Sequence, residues 1–327
     1  MGQQQTKVIV TRKLPPRVEQ RLRELFDVEL NPSDDIFTKA QLRDAMQRAD
    51  VLVPTLCDRI DQDLLSDPAA TVKLLANYGA GVDHIDVDAA RKANILVANS
   101  PTQSADDAAD MAIALILSVL RRLKEGSNVM SMGDWQGWAP SAFLGSRMRG
   151  KTLGILGMGR IGAALAERAN VFGLNIAYHS RNPIHPDAEQ RLKARYYGHL
   201  ETMLPTVDIL AICAPLTQHT HDIINHQTLA LLKPNSFLVN VSRGGLIDES
   251  ALIAALQSGQ LAGAGLDVLA TTAHVNQDLA DMPNVMLLPH MGSATAEARE
   301  EMGATVIRNI KMFEDGHNPP NLVLPNL

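Results

Sequence analysis

The chain has 327 residues, 46% hydrophobic and 20% charged, with a formal net charge of −6. That length fits about two domains, and the composition excludes a disordered chain. The acidic balance argues against a nucleic-acid or anionic-membrane surface, which needs clustered Lys and Arg. Cys57 and Cys213 lie far apart in apolar runs, which reads as two buried thiols in a reducing, cytoplasmic setting rather than as a disulfide framework.

In chain order, Gly2 and Thr6 fit a loose myristoylation pattern, but they read more simply as the start before a strand over 7–11, "KVIVT". An amphipathic stretch over 15–26 follows, then strands over 51–54, 73–78 and 95–99. Ser104 with Asp107 three residues later resembles a capping box. It opens a helix expected to run to about Lys124. The apolar centre of that helix, "MAIALILSVL", is too short to span a bilayer. Residues 133–150 have no clear period and read as a long loop, a feature often functional in a compact protein. A second strand series covers 152–157, 175–180, 208–214, 236–242, 262–268 and 285–289, with helical stretches over 160–172 and 249–257. A last helix, 295–314, is expected to cross back to the first domain. Strands that are apolar throughout and alternate with helices indicate parallel sheets covered on both faces. Two such series predict two α/β domains.

The stretch "LGILGMGRIGAALAERA" places Gly157, Gly159 and Gly162 straight after a strand and at the start of a helix. In that context the spacing predicts a dinucleotide-binding turn. The first glycine makes the turn, the second admits a pyrophosphate, and the third lets helix and strand pack closely. The helix amino end then supplies N–H groups and a positive dipole end. About twenty residues on, where an acid would bind a ribose 2′-hydroxyl, the chain has Ser180 and Arg181. An arginine suits a 2′-phosphate, so NADP(H) is expected to be preferred over NAD(H). His219, His221 and His226 in "QHTHDIINH" have no metal-ligand pattern and read as a polar loop, so no metal is expected.

Taken together, "NYGAGVDHID", "GDWQGW", "GILGMGRIG", "CAPLT", "VNVSRGGLIDE", "GAGLDV" and "PHMGSAT" resemble the D-isomer-specific 2-hydroxyacid dehydrogenases. The likeness is greatest to their glyoxylate/hydroxypyruvate reductase branch and runs from "VLVPTLCDRID" to "DGHNPP". The resemblance implies two doubly wound parallel-sheet domains, Rossmann and flavodoxin-like, with a cleft between them. Residues 1–101 and 290–327 would form the substrate domain and residues 102–289 the coenzyme domain. It also implies homodimers that reduce a small 2-oxo acid to the D-2-hydroxy acid.

The family's catalytic arginine falls on Arg243, whose guanidinium would grip the substrate carboxylate and polarise its carbonyl. Its acid/base histidine falls on His290, the proton donor in the reductive direction. The resemblance makes the backbone of Ala80 and Gly81 a carboxylate-binding turn and puts Leu56 beside the substrate. Asp267 would bind the nicotinamide carboxamide. Arg160 and Ile161, with the three glycines, and Ala214 and Pro215 of "CAPLT" would line the dinucleotide. Trp138 would sit on a loop that reaches the partner's active site.

One position departs from the family. Where relatives carry the Glu that pairs with the catalytic histidine, this chain has Thr272. A neighbouring carboxylate favours imidazolium, so its absence is expected to lower the histidine pKa by about one unit. Reduction is then expected to be fastest on the acid side of neutrality. The departure also raises the alternative of a weakly active or inactive nucleotide-sensing member of the fold.

Overall fold

The computed structural model describes residues 5–101, 105–270 and 275–324; Gly2, Ser104 and Thr272 lie outside them. The chain divides into two compact units, residues 1–104 with 295–327, and residues 105–294. The first unit contains β1 (Lys7–Val10), α1 (Pro16–Leu25), β2 (Asp27–Glu29), α2 (Lys39–Arg48), β3 (Val51–Val53), α3 (Gln62–Leu65), β4 (Leu74–Ala76), α4 (Val87–Lys92) and β5 (Leu96–Ala98). The second runs through α5 (Ala105–Leu120), α6 (Leu123–Met132), β6 (Thr152–Leu156), α7 (Arg160–Val171), β7 (Asn175–His179), α8 (Pro186–Leu192), β8 (Ala194–Tyr196), α9 (Leu200–Met203), β9 (Ile209–Ile212), α10 (His226–Ala230), β10 (Ser236–Asn240), α11 (Glu249–Gln257), β11 (Leu261–Leu266), α12 (Gln277–Asp281) and β12 (Val285–Leu287). The last helix, α13 (Ala296–Glu314), returns to the first unit.

Each unit is built on one wholly parallel sheet, with strand order β2-β1-β3-β4-β5 in the first and β12-β11-β10-β9-β6-β7-β8 in the second. The strands read as unbroken apolar runs because both faces are covered. In the first sheet Ile9, Leu52, Leu75 and Val97 face α2 to α4, while Val8, Val10, Val51 and Leu74 face α1 and α13. In the second, Leu153, Ile155, Ala211 and Val239 pack under α5 and α7, and Leu210, Ile212, Leu238 and Ala264 pack under α11. Helix α13 can lie against α1 because it presents Gly303 there; a Cβ at that position would stand 2.3 Å from a Val18 methyl carbon.

Three details differ from the sequence expectations. The short edge strands β2 and β8 went unpredicted: "DVE" and "ARY" are three residues each and carry little apolar pattern. The helix expected to reach Lys124 stops at Leu120, Arg122 takes a left-handed φ of 55°, and α6 begins one residue later. The cause is tertiary. Ser146 N–H donates to the Leu120 carbonyl at 2.8 Å, and Gly145 passes so close that a Cβ there would lie 2.3 Å from the same oxygen. Of the three histidines read as a polar loop, His219 and His221 lie in turns, while His226 opens α10 behind an Asn225–Thr228 capping box.

The carboxy-terminal return is tied to the first sheet by buried Asn309. Its amide donates to Asn99 O at 3.0 Å and its oxygen accepts Asn321 N–H at 3.2 Å. Asn309→Ala leaves both partners wanting, and each orphaned buried polar group costs about 1–3 kcal/mol. The expected outcome is a lower urea midpoint at unchanged m-value for the transition that unfolds this unit.

Candidate active site

The sequence-predicted residues of the second unit gather at one edge of its sheet. Gly157, Gly159, Arg160, Ile161 and Gly162 follow β6, Ser180 and Arg181 follow β7, and Ala214 and Pro215 follow β9. Arg243, Asp267 and His290 follow β10, β11 and β12, which are neighbours in the sheet. All stand at carboxyl ends of parallel strands, the edge where such sheets bind ligands. In the first unit, Leu56 follows β3 and the Ala80–Gly81 turn follows β4, at the same edge of that sheet. Trp138 is placed differently. It is 83% exposed on the long segment between α6 and β6 and follows no strand.

The glycine turn fits a dinucleotide on its own geometry. Gly157 has φ 97°, and a Cβ there would stand 2.6 Å from Ala214 N. A Cβ on Gly162 would meet Gly157 O at 2.3 Å, so helix and turn touch. Beside Gly159 nothing lies within 4 Å, and α7 starts there without a side-chain cap. The turn therefore offers space and uncapped helix N–H groups where a pyrophosphate would lie. At the end of β7, Ser180 Oγ donates to Asn182 O at 2.7 Å, and Arg181 is exposed. Cys213, beside the turn, is pushed up to about 12 by desolvation and stays a thiol at neutral pH.

The turn after β10 is shaped by Asn240, a fully buried amide that sequence reasoning passed over. Its oxygen accepts Ser242 N–H at 3.0 Å and its nitrogen donates to Arg243 O at 2.9 Å. Its main-chain oxygen accepts Asp267 N–H at 2.9 Å, which couples the Arg243 turn to the end of β11. The backbone 269–270 runs directly past Gly244; a Cβ at Gly244 would stand 1.9 Å from Leu269 O. The turn that carries the half-buried Arg243 is thus set against residues 269–270; Thr272, two residues further on in sequence, is outside the described residues.

His290 has a left-handed φ of 55°, a conformation costing an ordinary side chain roughly 1–2 kcal/mol. Asp267, expected to meet a carboxamide, has each carboxylate oxygen on a backbone amide: Met291 N–H at 2.8 Å and Gly292 N–H at 2.7 Å. Its main-chain oxygen accepts His290 N–H at 2.9 Å.

The turn after β4 is organised by a second residue that sequence reasoning missed, buried Asn77. Its amide donates to Gly79 O and Gly81 O, both at 2.9 Å, and its oxygen lies 3.0 Å from His84 Nε2. Asn99 Nδ2 donates to Ala80 O at 2.7 Å. The signal for Asn77 and Asn240 was present: an amide side chain interrupting an apolar run at its carboxyl end. Leu56, 41% exposed, sits on a turn closed by buried Asp58, whose Oδ2 accepts Thr55 N–H at 2.7 Å. Among the described residues no group of three or more metal-ligating side chains forms, and no helix is long and apolar enough to cross a membrane.

Comparisons with known proteins agree with the two-sheet fold. A family model described as D-isomer specific 2-hydroxyacid dehydrogenase, NAD binding domain, matches residues 113–292. The glyoxylate reductase of Thermococcus litoralis is 41% identical over 321 residues, covering 97% of this chain and 96% of its own. The crystal structure of a glyoxylate reductase from Paecilomyes thermophila is similar with a TM-score of 0.86 at 32% identity, covering 98% of each chain. An NADPH-dependent glyoxylate/hydroxypyruvate reductase from Sinorhizobium meliloti, in complex with NADP and malonate, has a TM-score of 0.85 at 34% identity, with 98% of this chain and 97% of that one covered.

The glycines separate fold from ligand binding. Gly162→Ala forces a methyl onto Gly157 O and should cost about 1–3 kcal/mol of stability, the usual cost of overpacking. Gly159→Ala meets nothing in the protein and should leave the thermal midpoint of the free chain unchanged. It should, however, shrink the upward shift that saturating NADP gives the parent. Thermal melts with and without NADP read both.

Proposed function

We propose a function from an established premise: this chain belongs to the D-isomer specific 2-hydroxyacid dehydrogenase family and is an NAD(P)-dependent oxidoreductase. The reading is reduction of glyoxylate and similar small 2-oxo acids to the D-2-hydroxy acid, with NADPH preferred. The observation that carries it is the placing of Arg243, Asp267 and His290 on three adjacent strand ends, at the edge where the Gly157 turn opens. The Thermococcus and Paecilomyes relatives are glyoxylate reductases, and the Sinorhizobium relative was solved with NADP and malonate, a small carboxylate.

The roles follow from the chemistry of each group. Residues 157–162, with Ala214 and Pro215, hold the dinucleotide, which when bound supplies a hydride. Arg243 takes the substrate carboxylate in a charge-assisted pair and draws electron density from the adjacent carbonyl. His290, as imidazolium, gives its proton to the carbonyl oxygen as charge develops there. The Ala80–Gly81 turn serves the carboxylate through its N–H groups, its carbonyls being drawn onto Asn77 and Asn99. Ser180 Oγ is already committed to Asn182 O, so Arg181 carries the charge-assisted contact to a 2′-phosphate.

A homodimer belongs to the same reading. Helix α6 buries none of its residues; its Met130 and Met132, with Trp135 and Trp138 just after it, are more than half exposed. A second copy would cover this apolar surface, with Trp138 reaching that copy's site, where it and Leu56 limit the size of the substrate side chain.

Steady-state reduction with glyoxylate, hydroxypyruvate and phenylpyruvate tests the reading. The small acids should have the higher kcat/KM, and NADPH should bind more tightly than NADH. Arg181→Ala should narrow that gap by about 1–3 kcal/mol, the range for hydrogen bonds to charged groups. A preference for phenylpyruvate, or equal Kd for the two dinucleotides in the parent, would contradict it.

A further inference from the structure

The geometry points to Asp267 as a positioning residue: its carboxylate clamps the turn 290–292 and so sets the direction of the His290 ring. The inference rests on the reading of His290 as proton donor and adds the device that aims it. Three successive amides, those of His290, Met291 and Gly292, donate to this one residue, the first to its main-chain oxygen and the other two to its separate carboxylate oxygens. Asp267 is 1% exposed. A buried carboxylate needs hydrogen-bond donors, and here the donors are main-chain groups beside the histidine. Bonds of this charge-assisted kind are short and strong.

The conformation they hold is one His290 would not adopt unaided. With φ 55° the residue lies in the left-handed region, which persists only where the surroundings over-determine it. In that region the Cα–Cβ bond leaves the backbone in a different direction from that of a strand residue. The clamp on 291 and 292 thereby fixes the direction in which the His290 side chain leaves the backbone. Gly292 completes the device. A Cβ there would stand 2.9 Å from Asp267 Oδ2, so the glycine is what lets the carboxylate reach both amides.

A clamp and a carboxamide contact predict different losses. Asp267→Asn keeps one acceptor but turns an N–H₂ group toward the other amide, donor against donor. Gly292→Ala leaves the carboxylate in place and pushes it off the turn. For both variants kcat with glyoxylate should fall by on the order of 10²-fold, the loss for a misplacement of about 1 Å. The Kd of Gly292→Ala for NADPH, read by fluorescence quenching, should stay at the parental value. The double variant should be no worse than the worse single one, because both break one device. Amide hydrogen exchange of the segment spanning 290–292 should be faster in each, read on the folded protein without ligand.

Parental exchange at that segment in Asp267→Asn would overturn the clamp whatever the kinetics do. So would an Asp267→Asn variant that loses NADPH affinity at parental kcat while Gly292→Ala is silent. His290→Asn, assayed alongside, tests the separate reading. Full turnover in that variant would remove His290 as proton donor, while the exchange data would still decide whether Asp267 holds the turn.

Discussion

The site depends on one close approach. Leaving β6, the chain passes within a missing Cβ of the chain leaving β9: a side chain on Gly157 would stand 2.6 Å from Ala214 N. These two strands are neighbours, yet the order of the sheet reverses between them, with β7 and β8 on one side and β10 to β12 on the other. At such a switch point the connections diverge and leave a crevice at the strand ends. Gly157, at φ 97°, makes the turn that opens it and starts α7 behind it. The same reversal puts β9 to β12 side by side, and the ends of β10 to β12 carry Arg243, Asp267 and His290.

At those ends the structure uses buried polar side chains to shape loops. Asn77, Asn240 and Asp267 are each nearly or fully inaccessible, and each is bonded to main-chain groups of a turn that follows a strand. Such networks are costly when partly satisfied and rigid when satisfied. Apart from His84 Nε2 on the Asn77 oxygen, their partners are backbone atoms, so they fix the turns through the main chain. Asn240 accepts Asp267 N–H on its main-chain oxygen, so the Arg243 turn and the His290 turn share a mechanical link through β10 and β11.

Much of this was legible in the sequence for physical reasons. Long apolar strands and the glycine spacing are one-dimensional signals, so the two parallel sheets and the 157–162 turn could be read directly. Arg243 and His290 came from motif likeness, since nothing in their spacing says that β10 and β12 flank β11. The break at Arg122 was invisible because its cause, the return of Gly145 and Ser146 onto Leu120, lies more than twenty residues away. The edge strands "DVE" and "ARY" lacked pattern because an edge buries little. Asp267 was assigned to a ligand from likeness; the structure adds bonds from the Met291 and Gly292 amides to its two oxygens, partners that only the folded chain brings near.

The central claim is that this arrangement delivers a hydride to one face of a small 2-oxo acid, with Arg243 holding the carboxylate and His290 supplying the proton. Chiral analysis of the product formed from hydroxypyruvate and NADPH addresses that claim most directly. The account predicts D-glycerate as the sole enantiomer, in amounts equal to the NADPH consumed. L-glycerate, a racemate, or tight NADPH binding with no product would contradict it.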